Sequence, residues 1–301
     1  LPVMKRKFLI FNFHSISDKR SAAFPSMPVN VFRQVCGYLQ RNFFIAPLSD
    51  IEGSFSTRKP IGVITFDDGF SDFHENALEI LSEMKLTATH HVIAGSVITG
   101  QTLWSQKLND LMDAYYFGSR RFVVPELGIH TLLKGKAYTE KLCREIYLKM
   151  LNDPGLHGII ENLERALQEE VRYSKMMNRE QIQECMQYGI TFGSHTYTHR
   201  NLCLLEGSEL EYELSASKRA IEEITGKQSC LSLAVPNGQY NSGVIEACRA
   251  AGYRFLLTTR RRSFTAPFDC FELPRITLSD TNYWKTFLKI QAFTYNILND
   301  R

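Results

Sequence analysis

The stretch "GVITFDDGFSDF" (residues 62–73) carries an apolar, β-branched run straight into two adjacent carboxylates, Asp67 and Asp68, followed by a glycine. The run reads as a buried strand. Two like charges at the end of such a strand are costly unless something there uses both. Working outward, runs of the same kind recur at "KFLIFNF" (7–13), "ATHHVIA" (88–94), "ITFGSH" (190–195), "LSLAVP" (231–236), "FLLTT" (255–259) and "FELPRITL" (271–278). Amphipathic helical patterns lie between them. Ala77, Ile80, Leu81 and Met84 keep helical spacing within 74–84, and Leu210, Leu214, Ile221 and Ile224 do so within 208–225, where Gly226 stands as a C-cap. This alternation predicts an α/β fold built from βα repeats. Residues 104–178 break it: three helical patterns flank the β-like "RFVVPELGI" (121–129). They are expected to form a helical insertion packed on one face of a single domain spanning 1–301.

Composition narrows the function. The chain has 301 residues and is 44% hydrophobic, enough for a sizeable core. A formal net charge of +3 gives no footprint for nucleic acid, and the densest basic cluster, "TTRRRS" (258–263), reads as a solvated loop after a strand. Seven scattered cysteines without a CxxC pair suit a reducing compartment, so a cytoplasmic protein is expected. No run reaches membrane-spanning length.

A second charged constellation lies in "ITFGSHTYTHRNL" (190–202). A strand pattern ends at His195, and His199 follows four positions later. Had the strand continued, the two imidazoles would lie roughly 13 Å apart. Gripping one ion at about 2 Å each therefore requires a turn at 196–198, where the apolar run stops. Asp67–Asp68 supply a hard ligand, again just past a strand end. Successive side chains of a regular strand point to opposite faces, and Gly69 allows the backbone to bend where both carboxylates must serve one site. The economical arrangement has one aspartate bind a divalent cation with His195 and His199 while the other stays unligated as a base. Two histidines and an aspartate with open positions form a catalytic rather than a structural coordination set.

"TFDDGF" followed by "SHTYTHRNL" resembles the polysaccharide deacetylase family, the metal-dependent N-deacetylases of carbohydrate esterase family four. The resemblance spans about residues 60–100 and 178–280 and the N-terminal strand. It implies a distorted, incomplete (β/α) barrel. It also implies that Asp67 is the catalytic base, and that Asp68, His195 and His199 hold a divalent metal, Zn²⁺ first, with Co, Ni or Mn as alternatives. Where many members have Arg-Pro-Pro-Tyr-Gly, this chain has "LAVPNGQY" (233–240). Ala234 stands in the arginine's place and Asn237 in the tyrosine's. The family uses that tyrosine's backbone N–H as an oxyanion donor, and Asn237 retains an N–H. Arg275, after another strand, is the candidate substitute for the arginine that orients the base.

The late catalytic histidine of many members is also missing, since none follows Arg275. His14 is the candidate general acid. "FHSIS" resembles the N-terminal segment of poly-N-acetylglucosamine deacetylases, whose acid histidine sits at that rearranged position. His14, Asp67, Asp68, His195, Asn237 and Arg275 all lie at or just beyond strand C-termini, which gather on one face of a barrel. His74, His90, His91, His130 and His157 fail that test and are expected to be structural. The implied reaction is hydrolysis of the acetamido group of an N-acetylated saccharide. A non-catalytic saccharide-binding relative, or an amidohydrolase acting on another small amide or a lipid-linked sugar, stays open. Trp104, Tyr115 and Tyr116 of the insertion either stack on sugar rings or belong to the core.

Overall fold

The computed structural model describes residues 6–118, 135–153, 158–167 and 171–297. "RFVVPELGI", His130 and His157 lie outside the described residues. The strands are β1 (Lys7–Phe13), β2 (Phe44–Ile45), β3 (Ile61–Phe66), β4 (Ala88–Val92), β5 (Ile190–Ser194), β6 (Ser232–Ala234), β7 (Phe255–Leu257), β8 (Phe264–Thr265) and β9 (Ile276–Thr277). Strands β7, β6, β5, β4, β3 and β1 lie side by side in that order, all parallel. Short β2 adds to β3 in parallel, and β8 runs antiparallel to the start of β1. Two-residue strands leave no periodicity to read, so β2 and β8 were not anticipated.

The last stretch bridges the two ends of this sheet. Leu273 pairs with Leu257 of β7, while Ile276 and Thr277 pair with Phe11 and Asn12 of β1. The Thr258 N–H donates to the Leu273 carbonyl at 2.9 Å, and the Leu278 N–H to the Asn12 carbonyl at 2.7 Å. The sheet thus curls into a distorted (β/α) barrel with 273–277 as its seam, the fold that the alternation and the family resemblance implied. The expected strand 271–278 is pared down to these few pairs because Pro274 offers no N–H to a ladder.

Ten helices are described: α1 (Val29–Asn42), α2 (Leu78–Glu83), α3 (Ala94–Thr99), α4 (Trp104–Phe117), α5 (Lys136–Asn152), α6 (Gly158–Leu167), α7 (Arg179–Gln187), α8 (Gly207–Thr225), α9 (Ser242–Ala250) and α10 (Tyr283–Thr294). The strands are buried on both faces, as in a covered parallel sheet. Leu9, Phe11, Phe13, Ile64 and Phe66 join the large cluster shared with the helices. The alternate residues Phe8, Ile10, Ile61, Val63, Ala234, Phe255 and Leu257 form a separate cluster. That second parity continues into Asn12, His14, Thr65 and Asp67. The inward face is therefore apolar at the strand N-termini and polar at their C-termini, which fixes where chemistry can occur.

Helices α4, α5 and α6 bury their own cluster, including Leu108, Leu111, Tyr115, Cys143, Ile146 and Leu163. Tyr115 is a core residue, 1% exposed, and Tyr116 packs edge-on against Phe117. Polar contacts tie α4 to the loop after β1. Buried Asp113 accepts from the Ala22 N–H at 2.7 Å and the Ser21 hydroxyl at 3.1 Å, and Asn109 accepts from the Phe24 N–H at 3.1 Å. Asp110 accepts from the Ser174 N–H at 2.7 Å and from Lys19 at 3.3 Å. Asp113→Ala leaves the Ala22 N–H and the Ser21 hydroxyl without their acceptor. It is expected to cost about 1–3 kcal/mol, measured as a lowered urea midpoint at unchanged slope.

Candidate active site

The site grows from the ends of β3 and β5. Asp67 closes the inward-facing row of β3 and is 2% exposed. Immediately after it the chain turns left-handed, at φ 75° for Asp68 and 88° for Gly69. This reversal brings two successive carboxylates, which a strand would splay apart, to the same rim. The Gly69 N–H donates to His90 Nε2 at 3.2 Å, so His90 of β4 props the turn from below.

The HxxxH segment is shaped by two further left-handed residues, Thr196 (φ 66°) and His199 (φ 61°). Glu213 of α8, buried beneath it, accepts from the N–H groups of Tyr197 and Thr198 at 2.9 Å each and from the Thr198 hydroxyl. The Thr196 hydroxyl accepts from the His199 N–H at 2.9 Å. The required turn at 196–198 is therefore present, and it brings the two imidazoles to 4.9 Å between ring centres.

Asp68, His195 and His199 converge. Asp68 Oδ1 lies 3.4 Å from His195 Nε2 and 3.8 Å from His199 Nε2. One ligand atom from each residue falls within 4.8 Å of the others. Ligands at about 2.0–2.2 Å from a shared cation stand roughly 3–3.5 Å apart, so this spacing fits a divalent ion. The tautomers fit as well. His195 Nδ1 donates to the Ala234 carbonyl at 2.7 Å, which turns the Nε2 lone pair toward Asp68. Burial and the neighbouring His195 push His199 down to about 4, leaving its imidazole neutral at physiological pH. Burial alone would raise Asp68, but the His195 hydrogen bond and the surrounding imidazoles bring it down to about 2. Burial lowers His195, yet Asp67 and Asp68 outweigh it and favour its protonated form. A cation at Nε2 competes for that same lone pair.

Asp67 lies next to this triad in a different setting. Its Oδ1 accepts from Arg275 Nη1 at 2.7 Å, and its Oδ2 accepts from Asn12 Nδ2 at 2.9 Å. His14 Nε2 approaches Oδ2 at 3.9 Å, and His91 Nδ1 approaches Oδ1 at 3.6 Å. Burial works against the charge, but Arg275, His195, His91 and His14 together hold the carboxyl well below its usual range. Arg275 is 1% exposed, and its other donors reach the Thr258 and Asn12 oxygens at 3.1 and 2.9 Å. Asn237, exposed on the turn after β6 with φ 56°, accepts through its side chain from the Tyr147 hydroxyl.

The structure thus gathers Asp67, Asp68, His14, His195, His199 and Arg275. Asn237 stands on the neighbouring rim loop. Asn12, Glu213 and Tyr147 also lie close by, unmarked by the sequence, and His91, expected to be structural, stands beside Asp67. His91 was set aside as mid-strand, yet it occupies the inward parity of β4. Its Nε2 sits 2.9 Å from Ser232 Oγ, and a Cβ at the facing Gly193 would come within 2.5 Å of its ring. That glycine inside a strand was the available signal. His74 pairs with Glu184 at 2.9 Å, away from the centre.

Residues 55–117 and 140–256 match the polysaccharide deacetylase family. The chain belongs to that family. A chitooligosaccharide deacetylase from Azorhizobium caulinodans is 28% identical over 71 residues, 24% of this chain and 34% of that one. The chain spans 34 to 37% of the length of the curated relatives it matches. Among solved structures, the Streptococcus pyogenes deacetylase PplD in complex with acetate aligns over 95% of this chain and 98% of its own, with a TM-score of 0.63 at 17% identity. IcaB from Ammonifex degensii aligns over 96% and 97%, with a TM-score of 0.62 at 17% identity. At these identities the likeness establishes a shared fold.

Replacing Arg275 by methionine keeps most of its volume but leaves Asp67 without its cationic partner. Arg275→Met is expected to cost about 3–5 kcal/mol, the scale for breaking one side of a buried pair. Chemical denaturation of the chelator-treated protein measures it.

Proposed function

We propose that this deacetylase family member hydrolyses the acetamido group of N-acetylated sugars, with N-acetylglucosamine residues as the favoured unit, at a metal centre held by Asp68, His195 and His199. The convergence of those three ligand atoms beside a separately ionised Asp67 carries the reading. Membership of the family and the named activity of the chitooligosaccharide deacetylase support the substrate class.

A divalent cation in this site, with zinc favoured by the His₂Asp set, supplies Lewis-acid polarisation of the acetyl carbonyl and acidifies water. Everything else falls to the chain. Asp67, kept ionised by Arg275 and oriented by Asn12, removes a proton from the attacking water. The Asn237 N–H donates to the oxyanion that develops on the carbonyl oxygen. His14, next to Asp67 and more exposed, delivers a proton to the leaving nitrogen as the C–N bond breaks. Acetate and a free amine result. His91 and Arg275 fix the charge and direction of Asp67 without touching the substrate. The whole of 1–301 acts as one catalytic domain in this reading, with the helical insertion forming part of the cleft. The seven unpaired cysteines, five of them buried, agree with a reducing, cytoplasmic setting. Among the described residues no helix is long and apolar enough to cross a membrane.

Asp67→Asn is expected to bind Zn²⁺ with near wild-type affinity while acetate release from N-acetylglucosamine oligomers falls by at least about a thousandfold. His195→Ala should instead lose the ion, seen as loss of the binding heat in calorimetry. His14→Ala should retain the metal and slow turnover by about a hundredfold or more. Wild-type rates in that variant would remove His14 from the mechanism.

A further inference from the structure

The insertion meets the candidate centre through aromatic side chains that no step above uses. Tyr147 of α5 lies with its ring stacked on Trp104 of α4, at 5.3 Å between centroids and 25° between planes. Phe24, from the loop that follows His14, meets the same tyrosine edge-on at 6.2 Å and is 45% exposed. The Tyr147 hydroxyl donates to the Asn237 side chain, on the loop just past the Ala234 carbonyl that orients His195. Tyr147 is near enough to Asp68 that burial and this negative charge raise its phenol well above its ordinary range. Three rings from three separate segments thus meet at the rim beside the metal ligands, and all three are partly exposed.

We propose that Phe24, Trp104 and Tyr147 form a saccharide subsite that binds a pyranose ring next to the sugar undergoing deacetylation, making the enzyme selective for oligomers over free monosaccharide. This inference rests on the deacetylase reading. Pyranose rings present faces of axial C–H bonds, which pack on aromatic faces, while their rim hydroxyls need hydrogen-bond partners. The rings supply the first, and the Tyr147 hydroxyl and the Asn237 amide supply the second. The chain's only other tryptophan is Trp284, on the exposed face of α10. Trp104 can therefore be made the sole indole.

The test uses zinc-loaded protein carrying Trp284→Phe and Asp67→Asn, so that ligand binds without being consumed. Whichever of the β-1,4- and β-1,6-linked N-acetylglucosamine pentamers the wild type deacetylates should shift Trp104 emission saturably; the monosaccharide at equal concentration should not. In otherwise wild-type protein, Tyr147→Ala should raise KM for that pentamer about tenfold, the scale of one lost ring contact, and more than it lowers kcat. Tyr147→Phe should restore most of that KM. A pentamer that is deacetylated without moving Trp104 emission, or with KM unchanged in Tyr147→Ala, overturns the subsite. So does equal efficiency on monosaccharide and pentamer. Absence of acetate release from both pentamers and from a small aryl acetate ester instead removes the underlying deacetylase reading, and the subsite with it.

Discussion

The buried pair between Arg275 and Asp67 is the contact on which the rest of the molecule converges. It joins the seam of the barrel to the end of β3, and through Asn12 it also fastens β1. Neither charge reaches solvent, so each requires the other, and Asn12 and the Thr258 carbonyl satisfy what remains. Closing the barrel and setting the charge of Asp67 are therefore one event. Arg275 reaches Asp67 from the seam, while the segment in which the family resemblance implies an arginine carries Ala234 in this chain.

Much of this was legible in the sequence. Strand ends carrying Asp67, His195 and Arg275 announced themselves by apolar runs that stop at a charge. The parallel α/β alternation led to the right fold because each repeat was long enough to show its period. What escaped was whatever depends on parity or on tertiary approach. His91 looked like a mid-strand histidine, and only its register opposite Gly193 reveals that it faces inward. Glu213 lay in an ordinary amphipathic helix, with nothing local to mark it as the acceptor that shapes the HxxxH turn. Tyr147 reaches the site from an insertion whose sequence reads as plain helix.

The two aspartates show how a one-residue change of backbone hand separates chemical roles. Asp67 keeps strand geometry and falls on the inward row, where cation and amide donors enclose it. Asp68 enters the left-handed region, costly for a residue with a side chain, and is carried across to the histidines. Thr196 and His199 use the same device on the opposing loop. Three hydrogen bonds to the Glu213 carboxylate and one to the Thr196 hydroxyl over-determine that geometry, so His195 and His199 stand in place through the fold itself.

The seam also bears on biosynthesis. The cluster of Asp68, His195 and His199 has all its supports once the Ala234 carbonyl that orients His195 has been made, but Arg275 emerges from the ribosome some 40 residues later, on the order of several seconds at ordinary elongation rates. During that interval a nascent chain holds Asp67 and Asp68 side by side without the guanidinium that later holds Asp67 in its charged form. Synthesis therefore presents Asp68, His195 and His199 first and the partner of Asp67 last, so Asp67 gains its guanidinium only when the seam arrives.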